Sequence, residues 1–466
     1  MTVRPNRSVL LPMMAILLLA LLAAGRLWLI PVRFSHDPNE GWNALQSVRA
    51  LGGGPLYPAP NGLTGNNYPP LSFYLIGYAA GLFGDLIVTG RLIALGALLA
   101  VAGCIAVIVR RFTDPGNSAP AIAAILFLAI NLILFRSYVA MDDPQWLAHA
   151  LMMIGLCLIV PRRASAPPGI VVTMLAALLF VCAGLVKHNL FGLPAAVTLW
   201  LLIHYRRAAM VWLATGLGGI GIAAWACAYA YGPDFFADLL AADRSYSFSR
   251  MISQSALFVV VMLPLLAASA RLLRLRRSDP RLDLLLLATG LSFGLAIIQE
   301  AGQGVDCNAQ FEAAIALSIA GAVAFGLRDR ADGRLLREPL AWSILPLLAL
   351  LPATLQIEWH EFADRSYEQA AWTQLVRQIA SVHGPVACQM PAACYWAGKP
   401  LGIDFFLYGQ HVIKSGDASA LAEALRTRHF AAIEIEDETD PLSPAIEARY
   451  RTAWADDDGH RILVPR

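Results

Sequence analysis

The stretch FSHDPNEGWNAL, residues 34–45, follows the first long apolar segment of the chain, residues 10–30. An apolar segment of about 20 residues predicts a membrane-spanning helix, because the hydrocarbon core of a bilayer is about 30 Å thick. Asp37 and Glu40 therefore stand where the first predicted helix leaves the membrane. Acids so near to hydrocarbon are costly and usually mark a cavity or a pathway. The stretch thus predicts a helical membrane protein with a polar site at one end of its first helix.

The composition of the whole chain is that of a polytopic membrane protein. Its 466 residues are 58% hydrophobic and 15% charged, with a mean hydropathy of +0.58, and a soluble protein of this length would carry more charge. The formal net charge of +2 gives no reason to expect a nucleic acid partner. Because no small-residue cleavage site follows residues 10–30, we interpret this segment as a retained helix and not as a signal peptide.

Eleven apolar segments predict an α-helical membrane domain, and some of them are short for a bilayer. They are residues 10–30, 86–109, 118–136, 145–160, 169–186, 189–203, 208–231, 253–271, 284–300, 312–327 and 339–355. A further apolar segment, residues 69–84, is shorter and begins with two prolines.

The arginines predict the orientation of these helices. Six basic clusters hold 17 Arg: Arg4 and Arg7, Arg110 and Arg111, Arg162 and Arg163, Arg206 and Arg207, residues 271–281 and residues 328–337. All of them fall on the cytoplasmic side only if residues 69–84 form a juxtamembrane or partly inserted helix and not a full span. The N-terminus is then cytoplasmic. The outer side holds everything after residue 355 and the loops 31–68, 137–144, 187–188, 232–252 and 301–311.

Two domains are predicted, with a boundary where charge rises and apolar runs shorten. Residues 1–355 form the transmembrane domain, whose first outer loop with its juxtamembrane helices is residues 31–84, and residues 356–466 form a small α/β domain. Predicted elements of the α/β domain are an amphipathic helix at 367–384, strands at 385–390 and 430–436, and a helix at 418–430. If this domain lies outside the cell, Cys388 and Cys394 can form a disulfide.

Two interpretations of the acidic residues stay open. Asp37-Pro38-Asn39-Glu40 fits a helix capping box, and Asp143-Pro144 fits an N-cap followed by proline. Capping explains one acid at each place. It does not explain the second acid at each place, Glu40 or Asp142, or why both pairs lie on the same predicted side.

Lys187 is unusual because the chain has only three lysines beside 32 arginines. It follows an apolar segment on the outer side, where the positive-inside bias disfavours it. Either it snorkels to the membrane interface, or it supplies a point charge for a phosphate. His188 and Asn189 add hydrogen-bond donors, although His188 alone is better explained as a hydrogen-bonded interfacial residue.

A phosphate-binding cation beside carboxylates suits the transfer of a sugar from a lipid phosphate. Cations hold the leaving phosphate, and one carboxylate takes the proton of the acceptor hydroxyl that attacks the anomeric carbon. A divalent cation, Mg²⁺ or Mn²⁺, is a further expectation if Asp37 and Asp142 converge.

Four motifs resemble those of the GT-C superfamily of polyprenyl-phosphate-dependent glycosyltransferases. The similarity is greatest to the family-39-like branch that includes lipid A aminoarabinose transferase and the protein O-mannosyltransferases. The motifs are HDPNEGWNAL at 36–45, the Tyr- and Pro-rich stretch 52–84 followed by TGRL at 89–92, AMDDPQ at 140–145, and GLVKHN at 184–189. The stretch GVDCNAQFEAAIALSIAG at 304–321 is also similar to a late outer-loop motif of related members.

The resemblance implies a GT-C fold and an inverting transfer on the outer face of the bacterial cytoplasmic membrane. The donor is a polyprenyl-phosphate-linked sugar, and the acceptor is a glycan, a lipid or a protein. Because the two acids of the first motif are often adjacent in the family, either Asp37 or Glu40 can be the base, and similarity of role favours Asp37. The other implied roles are acceptor orientation or metal binding for Asp142 or Asp143, donor phosphate binding for Lys187, and substrate binding for His188, Tyr68, Arg136, Asn308 and Glu312.

Two other functions fit part of the pattern. A flippase or transporter of lipid-linked sugars would use the same cation, but it would place polar groups near mid-membrane and often shows internal repeats. An outer-face polysaccharide polymerase or ligase would carry Arg and His in a large central loop. The loop 232–252 is modest in size and mixed in composition, so we expect a glycosyltransferase.

Overall fold

The computed structural model describes residues 7–466 except 36, 60–61, 165, 241–243, 277–278, 328–337 and 437–439. Helices dominate because a chain in lipid must satisfy its backbone hydrogen bonds internally. The helices described are α1 (Arg7–Leu29), α2 (Pro38–Val48), α3 (Leu71–Phe83), α4 (Leu86–Arg110), α5 (Ala119–Leu134), α6 (Gln145–Ile159), α7 (Ile170–Val186), α8 (Gly192–His204), α9 (Arg206–Tyr231), α10 (Asp234–Leu240), α11 (Phe248–Ala270), α12 (Leu272–Leu275), α13 (Arg281–Gln299), α14 (Phe311–Gly326), α15 (Glu338–Ser381), α16 (Pro391–Trp396), α17 (Phe405–Ser415), α18 (Ser419–Arg426) and α19 (Ser443–Glu447).

The predicted apolar segments coincide with helices. They correspond to α1, α4 to α9, α11, α13, α14 and the first part of α15, which confirms the helical membrane fold. Among the described residues, six helices are long and apolar enough to cross a membrane, and six apolar helices are shorter. The number of spans therefore stays a prediction.

Residues 69–84 form a separate short helix, as predicted. The helix α3 has 13 residues, follows Pro69 and Pro70, and ends at Gly84. At 1.5 Å per residue it is about 20 Å long, which is less than the thickness of the hydrocarbon core. Together with α2, it places two short helices in the predicted first outer loop.

The helix α14 is the centre of the bundle. Every residue from Phe311 to Ala324 is buried, and the helix packs against α5, α11 and α13. Its many alanines and glycines let neighbouring helices approach closely. A Cβ at Gly321, for example, would lie 2.8 Å from a side-chain atom of Leu265.

Three of the predicted cytoplasmic loops meet at one end of the bundle. The Arg281 guanidinium donates hydrogen bonds to the carbonyl oxygens of Arg111, Pro161 and Arg162, at 3.0, 3.1 and 3.0 Å. These three basic clusters therefore share one face, as the predicted orientation requires.

The helix α15 joins the two predicted domains without a break. It has 44 residues, so it is about 66 Å long, and the predicted boundary after residue 355 lies inside it. Trp372, Leu375 and Ile379 are buried on its last turns and pack in a common core with the C-terminal sheet. The amphipathic pattern predicted for residues 367–384 is therefore confirmed up to the end of the helix at Ser381.

A four-stranded sheet forms the core of the C-terminal domain. Its strands are β1 (Val386–Cys388), β2 (Ala432–Ile435), β3 (Tyr450–Ala455) and β4 (Arg461–Pro465), in the order β1-β2-β4-β3. β1 and β2 are parallel, with Ala387 opposite Ile433, and the other two pairs are antiparallel. β1, β2 and α18 correspond to predicted elements, whereas the hairpin of β3 and β4 was not predicted.

The pairing of Cys388 with Cys394 is confirmed. A disulfide joins the two residues and thereby links the end of β1 to α16.

Candidate active site

The helix α2 begins at the first acidic motif. Asp37 is its N-cap, and its Oδ1 accepts a hydrogen bond of 2.8 Å from the backbone nitrogen of Asn39. Pro38 occupies the first helical position, where its missing N–H costs nothing. The capping interpretation is thus correct for Asp37, but it uses only one carboxylate oxygen.

Glu40 does not complete a capping box, because its carboxylate pairs with Arg91 of α4. Arg91 Nε and Nη2 donate to Glu40 Oε1 and Oε2 at 2.7 and 2.6 Å. Ser35 Oγ adds a hydrogen bond of 2.7 Å. Burial alone would raise the pKa of Glu40, but the Arg91 guanidinium outweighs burial and holds this pKa below its usual range. Glu40 is therefore a buried anion with its oxygens occupied.

Arg91 also fixes the chain where α1 ends. Its remaining N–H groups donate to the carbonyl oxygens of Leu29, Val32 and Phe34, at 2.7, 2.7 and 2.5 Å. The side chain is completely buried. One arginine thus holds the exit of the first helix, the start of α2 and the start of α4 together.

The second acidic motif is tied to α2 through its backbone. The amide nitrogen of Asp142 donates to Glu40 Oε1 at 3.1 Å, and its carbonyl oxygen accepts from Asn43 Nδ2 at 2.8 Å. The two motifs, about a hundred residues apart in the chain, therefore meet as the resemblance implies.

The side chain of Asp142 has an unusual environment. It is completely buried, and neither carboxylate oxygen has a hydrogen-bond partner among the described residues. Burial and the neighbouring Glu40 raise the pKa of Asp142 well above its usual value. The carboxyl lies against the bare backbone of Gly90, where a Cβ would be 1.8 Å from Oδ1. This environment therefore favours the protonated, uncharged form of the Asp142 carboxyl.

Asp143 pairs with Lys187. Its Oδ2 lies 3.3 Å from Lys187 Nζ, and its Oδ1 accepts from the backbone nitrogen of Gln145 at 2.7 Å. Lys187 Nζ also donates to Tyr68 Oη at 2.7 Å and lies 4.0 Å from the centre of that ring. Both ionic side chains are buried. Residues of three predicted outer loops thus form one cluster.

Asp37 lies within electrostatic reach of this cluster. Burial raises its pKa to about 6, and the carboxylates of Glu40, Asp143 and Asp306 add to the effect. Apart from the bond to Asn39, the described part of the chain gives the Asp37 side chain no hydrogen bond. Asp37 therefore keeps one oxygen free, with a pKa close to the range that suits a general base.

We call this group the central cluster: Asp37, Glu40, Tyr68, Arg91, Asp142, Asp143 and Lys187. Trp42 of α2 packs beside the cluster, because its ring contacts Tyr68 edge-on, with ring centroids 5.0 Å apart. Trp42 Nε1 donates to Asp404 Oδ2 of the C-terminal domain at 2.7 Å. The cluster is thus bounded on one side by the C-terminal domain.

Other predicted site residues have different partners. Arg136 forms ion pairs with Glu358 and Glu361 of α15. Glu312 accepts from the backbone nitrogens of Gly192 and Leu193 at 2.9 and 3.4 Å, so it caps α8. In the described chain, neither Arg136 nor Glu312 has a hydrogen bond or ion pair with the central cluster.

His188 and Asn308 are accessible to solvent, and among the described residues neither side chain forms a hydrogen bond or ion pair with an acid of the central cluster. His188 is exposed, and Asn308 is half-buried in a short helical turn after Asp306. Their assignment to substrate binding stays a prediction.

Three residues near the cluster were not predicted as site residues. Gly90 makes room for Asp142. His149 of α6 is completely buried near Lys187, and its ring nitrogens have no partner among the residues described. Arg244 lies close enough for its charge to act on Tyr68 and His188. A signal existed for His149, since an ionisable residue within an apolar helix usually has a function.

The described residues of the central cluster do not form a set of ligands for a divalent cation. Within the described ranges, no three His, Cys, Asp or Glu side chains are grouped as metal ligands. Asp142 has free oxygens, but Glu40 is occupied by Arg91 and Asp143 by Lys187. These residues do not fit a metal bound by Asp37 and Asp142 together with a third acid, so we assign no step to a metal.

No protein-family model matches the sequence, and no curated protein matches it. Solved structures resemble it in fold. The structure of ArnT from Cupriavidus metallidurans bound to undecaprenyl phosphate has 14% sequence identity and a TM-score of 0.62, and the match covers 96% of this chain and 97% of that chain. The same protein in the apo state has 14% identity and a TM-score of 0.59, with 92% and 93% covered.

A more distant similarity is to the oligosaccharyltransferase AglB from Archaeoglobus fulgidus, in complex with an inhibitory peptide and a dolichol-phosphate. Its identity is 12% and its TM-score 0.51, with 96% of this chain and 74% of that chain covered. The similarity to ArnT spans both domains and nearly the full length of both chains. The chain therefore shares its fold with ArnT and, more distantly, with AglB.

Proposed function

We propose that this protein is an inverting glycosyltransferase that moves a sugar from a polyprenyl phosphate to an acceptor hydroxyl. The reaction takes place at the central cluster, on the outer face of the cytoplasmic membrane. The observation that carries the proposal is that Asp37 lies within electrostatic reach of the buried pair of Lys187 and Asp143. Its second carboxylate oxygen has no hydrogen-bond partner in the described part of the chain. The fold shared with ArnT bound to undecaprenyl phosphate supports the class of donor.

Asp37 is the general base in this proposal. Among the described residues, one of its oxygens has no hydrogen-bond partner, and its pKa of about 6 leaves it ionised at neutral pH yet able to accept a proton. Glu40 is unsuited to the role, because Arg91, Ser35 and the amide of Asp142 occupy its oxygens. Its proposed function is to hold the start of α2 in place.

Lys187 holds the phosphate of the donor. An ammonium group has three N–H donors, and Tyr68 and Asp143 take two of them. The third remains for a phosphate oxygen. Arg244 and the exposed His188 lie nearby and add positive charge or donors at the same place.

The proposed reaction is a single displacement. Asp37 takes the proton of the acceptor hydroxyl as its oxygen attacks the anomeric carbon from the face opposite the phosphate. The bond between the anomeric carbon and the phosphate oxygen breaks, and the polyprenyl phosphate leaves with its charge held by Lys187. Asp142 orients the acceptor through its carboxyl group, whose oxygens have no hydrogen-bond partner among the described residues.

The outer location of the cluster is supported by the disulfide. Cys388 and Cys394 are bonded in the domain that contacts the cluster through Trp42 and Asp404. Disulfides persist in oxidising compartments and are rare in the cytosol. The loops of Arg111, Arg162 and Arg281 meet at the end of α4 opposite to Arg91. This grouping supports a cytoplasmic position for that end, because basic residues favour the cytoplasmic side.

Transfer is tested with the full-length protein in lipid nanodiscs. The donors are undecaprenyl phosphates that carry glucose, mannose, galactose or aminoarabinose, and the acceptors are fractionated lipids, glycans and proteins from a bacterial envelope. We expect at least one pair to release free undecaprenyl phosphate and to label the acceptor. Asp37→Asn is the matched inactive variant. In sealed proteoliposomes, a lipid-linked sugar that crosses the bilayer intact, at equal rates with the wild type and with Asp37→Asn, would instead indicate a flippase.

Lys187→Ala distinguishes phosphate binding from snorkelling. Loss of a hydrogen bond to a charged group costs about 1.5–3 kcal/mol, so we expect the donor KM to rise roughly 10- to 150-fold with a smaller change for the acceptor. Lys399→Ala, in the C-terminal domain, is the control. An unchanged donor KM would favour the snorkelling interpretation.

A further inference from the structure

The helix α2 touches the C-terminal domain with its backbone. A Cβ at Gly41 would lie 1.8 Å from the amide nitrogen of Ala392 and 2.3 Å from the carbonyl carbon of Pro391. No side chain fits between two backbones at this distance. The first turn of α16 therefore packs directly against α2, the helix that is capped by Asp37 and that contains Glu40.

The residues of α2 on either side of Gly41 form hydrogen bonds with both domains. Trp42 donates to Asp404 at the start of α17, whereas Glu40 binds Arg91 and Asn43 binds the carbonyl of Asp142. The orientation of α2, and thereby the direction of the Asp37 carboxylate, depends on both domains.

The helix α16 also holds the start of α4. Trp396 Nε1 donates to Asp85 Oδ2 at 3.0 Å, and the hydroxyl of Tyr395 accepts from the backbone nitrogen of Leu86 at 3.0 Å. Asp85 is the N-cap of α4, which carries Arg91 one and a half turns later. The short helix α16 thus touches both helices whose side chains form the Glu40–Arg91 pair.

A six-residue helix does not hold its own position, because isolated short helices are unstable in water. The disulfide ties Cys394 of α16 to Cys388 at the end of β1, which is paired with β2 in the sheet. Ala392, Ala393 and Cys394 are buried in the core that joins the sheet to α2 and α4.

We propose that α16, secured by the Cys388–Cys394 disulfide, is a positioning element that sets the orientation of α2 and α4 at the central cluster. The inference rests on the proposed function where it concerns transfer, because its target is the geometry of Asp37. It gives the C-terminal domain a role in catalysis, and it makes that role depend on the oxidised disulfide.

The test reduces the disulfide in the full-length protein in nanodiscs and follows amide hydrogen exchange. Dithiothreitol gives two electrons and two protons to the disulfide, which leaves two thiols and the cyclic oxidised reductant. We expect exchange to become about tenfold faster in residues 37–48 and 85–92, since their local stability depends on α16. Residues 108–114 at the opposite end of α4 should not change. Faster exchange confined to residues 386–397 would overturn the inference.

Two kinds of variant distinguish the effect of the disulfide from the effect of the contact between α16 and Gly41. Protein with Cys388→Ala and Cys394→Ala should exchange like the reduced wild type and should not respond to dithiothreitol. Gly41→Ala keeps the disulfide but pushes α16 away, so it should loosen residues 37–48 in oxidised protein. Gly81→Ala is its control, because a Cβ at Gly81 meets nothing within 4 Å. Equal exchange in the Gly41 and Gly81 variants would contradict the proposed contact.

The transfer assay separates the positioning role from a purely structural role of the disulfide, because the two roles affect kcat differently. Misplacement of a catalytic group lowers kcat, so reduction should decrease kcat by about tenfold and leave the donor KM within about twofold. Lys187 and Tyr68, which bind the phosphate in our proposal, lie outside α2 and α16. If exchange loosens as expected but no transfer is found, the proposed function fails and the positioning role stands. Transfer that is unaffected by reduction would overturn the positioning role alone.

Discussion

Asp37 and Glu40 are one helical turn apart but have opposite surroundings. Glu40 is buried and bonded to Arg91, whereas Asp37 keeps a free oxygen beside other acids. A charge that is fully paired contributes to the fold, and an unpaired one is available for chemistry. The two residues should therefore respond differently to the same conservative substitution.

Asp37→Asn removes the proposed base and keeps the shape of the side chain. We expect kcat to fall by about 10²- to 10⁴-fold, the usual contribution of a general base. The melting temperature in nanodiscs should not fall, because the amide oxygen still caps α2 and a buried charge is lost. Wild-type turnover in this variant would place the base at another residue.

Glu40→Gln leaves the Arg91 guanidinium buried without its counter-ion. Breaking a buried ion pair costs about 3–5 kcal/mol, so this variant should have a clearly lower unfolding temperature than Asp37→Asn. Circular dichroism melts of both proteins, prepared in parallel, measure the difference. Equal stabilities would mean that the Glu40–Arg91 pair does not hold the fold together.

The pH dependence of transfer reports on Asp37. Burial raises its pKa to about 6, and a base acts only when it is deprotonated. The rate should therefore fall about tenfold per pH unit below pH 6 and level off above it. Asp37→Asn should have a flat profile over this range. A wild-type rate that is constant down to pH 5 would disagree with this assignment.

Some of these residues could be predicted from the sequence and others could not. Asp37, Asp142, Asp143 and Lys187 stood out because acids and a rare lysine border apolar segments. The partner of Glu40 was not evident, because Arg91 is 51 residues away and only helix packing brings the two together. For Arg136 the charge was visible, but its acidic partners on α15 were not.

Among the structural elements, the start of α4 makes three separate contacts through the consecutive residues Thr89, Gly90 and Arg91. Thr89 Oγ1 donates to the carbonyl of Asp85 at 2.7 Å, Gly90 receives the Asp142 carboxyl, and Arg91 binds Glu40. Two acidic motifs are thus held by consecutive residues of one helix. This explains why a glycine precedes the arginine in a helix that would be more stable with alanine.

Gly90→Ala should displace the Asp142 carboxyl, since the added Cβ would lie 1.8 Å from Oδ1. We expect kcat to fall by about tenfold or more, because displacements near 1 Å have large effects on catalysis. Gly96→Ala is the control, as a Cβ there meets nothing within 4 Å. Similar activities of the two variants would show that Asp142 is not confined by Gly90.

The elements themselves were predictable where hydropathy was strong. Long apolar segments form helices because backbone N–H and C=O groups in lipid must form their hydrogen bonds within the protein. The hairpin of β3 and β4 was missed, since β3 has an irregular register between Thr452 and Trp454 and is largely exposed. The continuity of α15 through residue 355 was also hidden, because the change in composition there reflects a change of solvent and not the end of a helix.

In the whole molecule, the C-terminal domain and the acidic motifs must share the outer side if the central cluster is to act there. The contact of Trp42 with Asp404 places the domain beside the central cluster. A single cysteine at position 466, in protein whose free cysteines are replaced, should react with a membrane-impermeant maleimide on intact cells. Reaction only after permeabilisation would reverse the predicted orientation.

The most direct measurement is a cryo-electron microscopy structure of the full-length protein in nanodiscs with undecaprenyl phosphate. We expect density for the phosphate within about 3 Å of Lys187 Nζ, in a cavity that the second carboxylate oxygen of Asp37 also faces. The lipid chain should leave this cavity sideways between the helices. A phosphate bound elsewhere, with Lys187 still in contact only with Tyr68 and Asp143, would contradict the account.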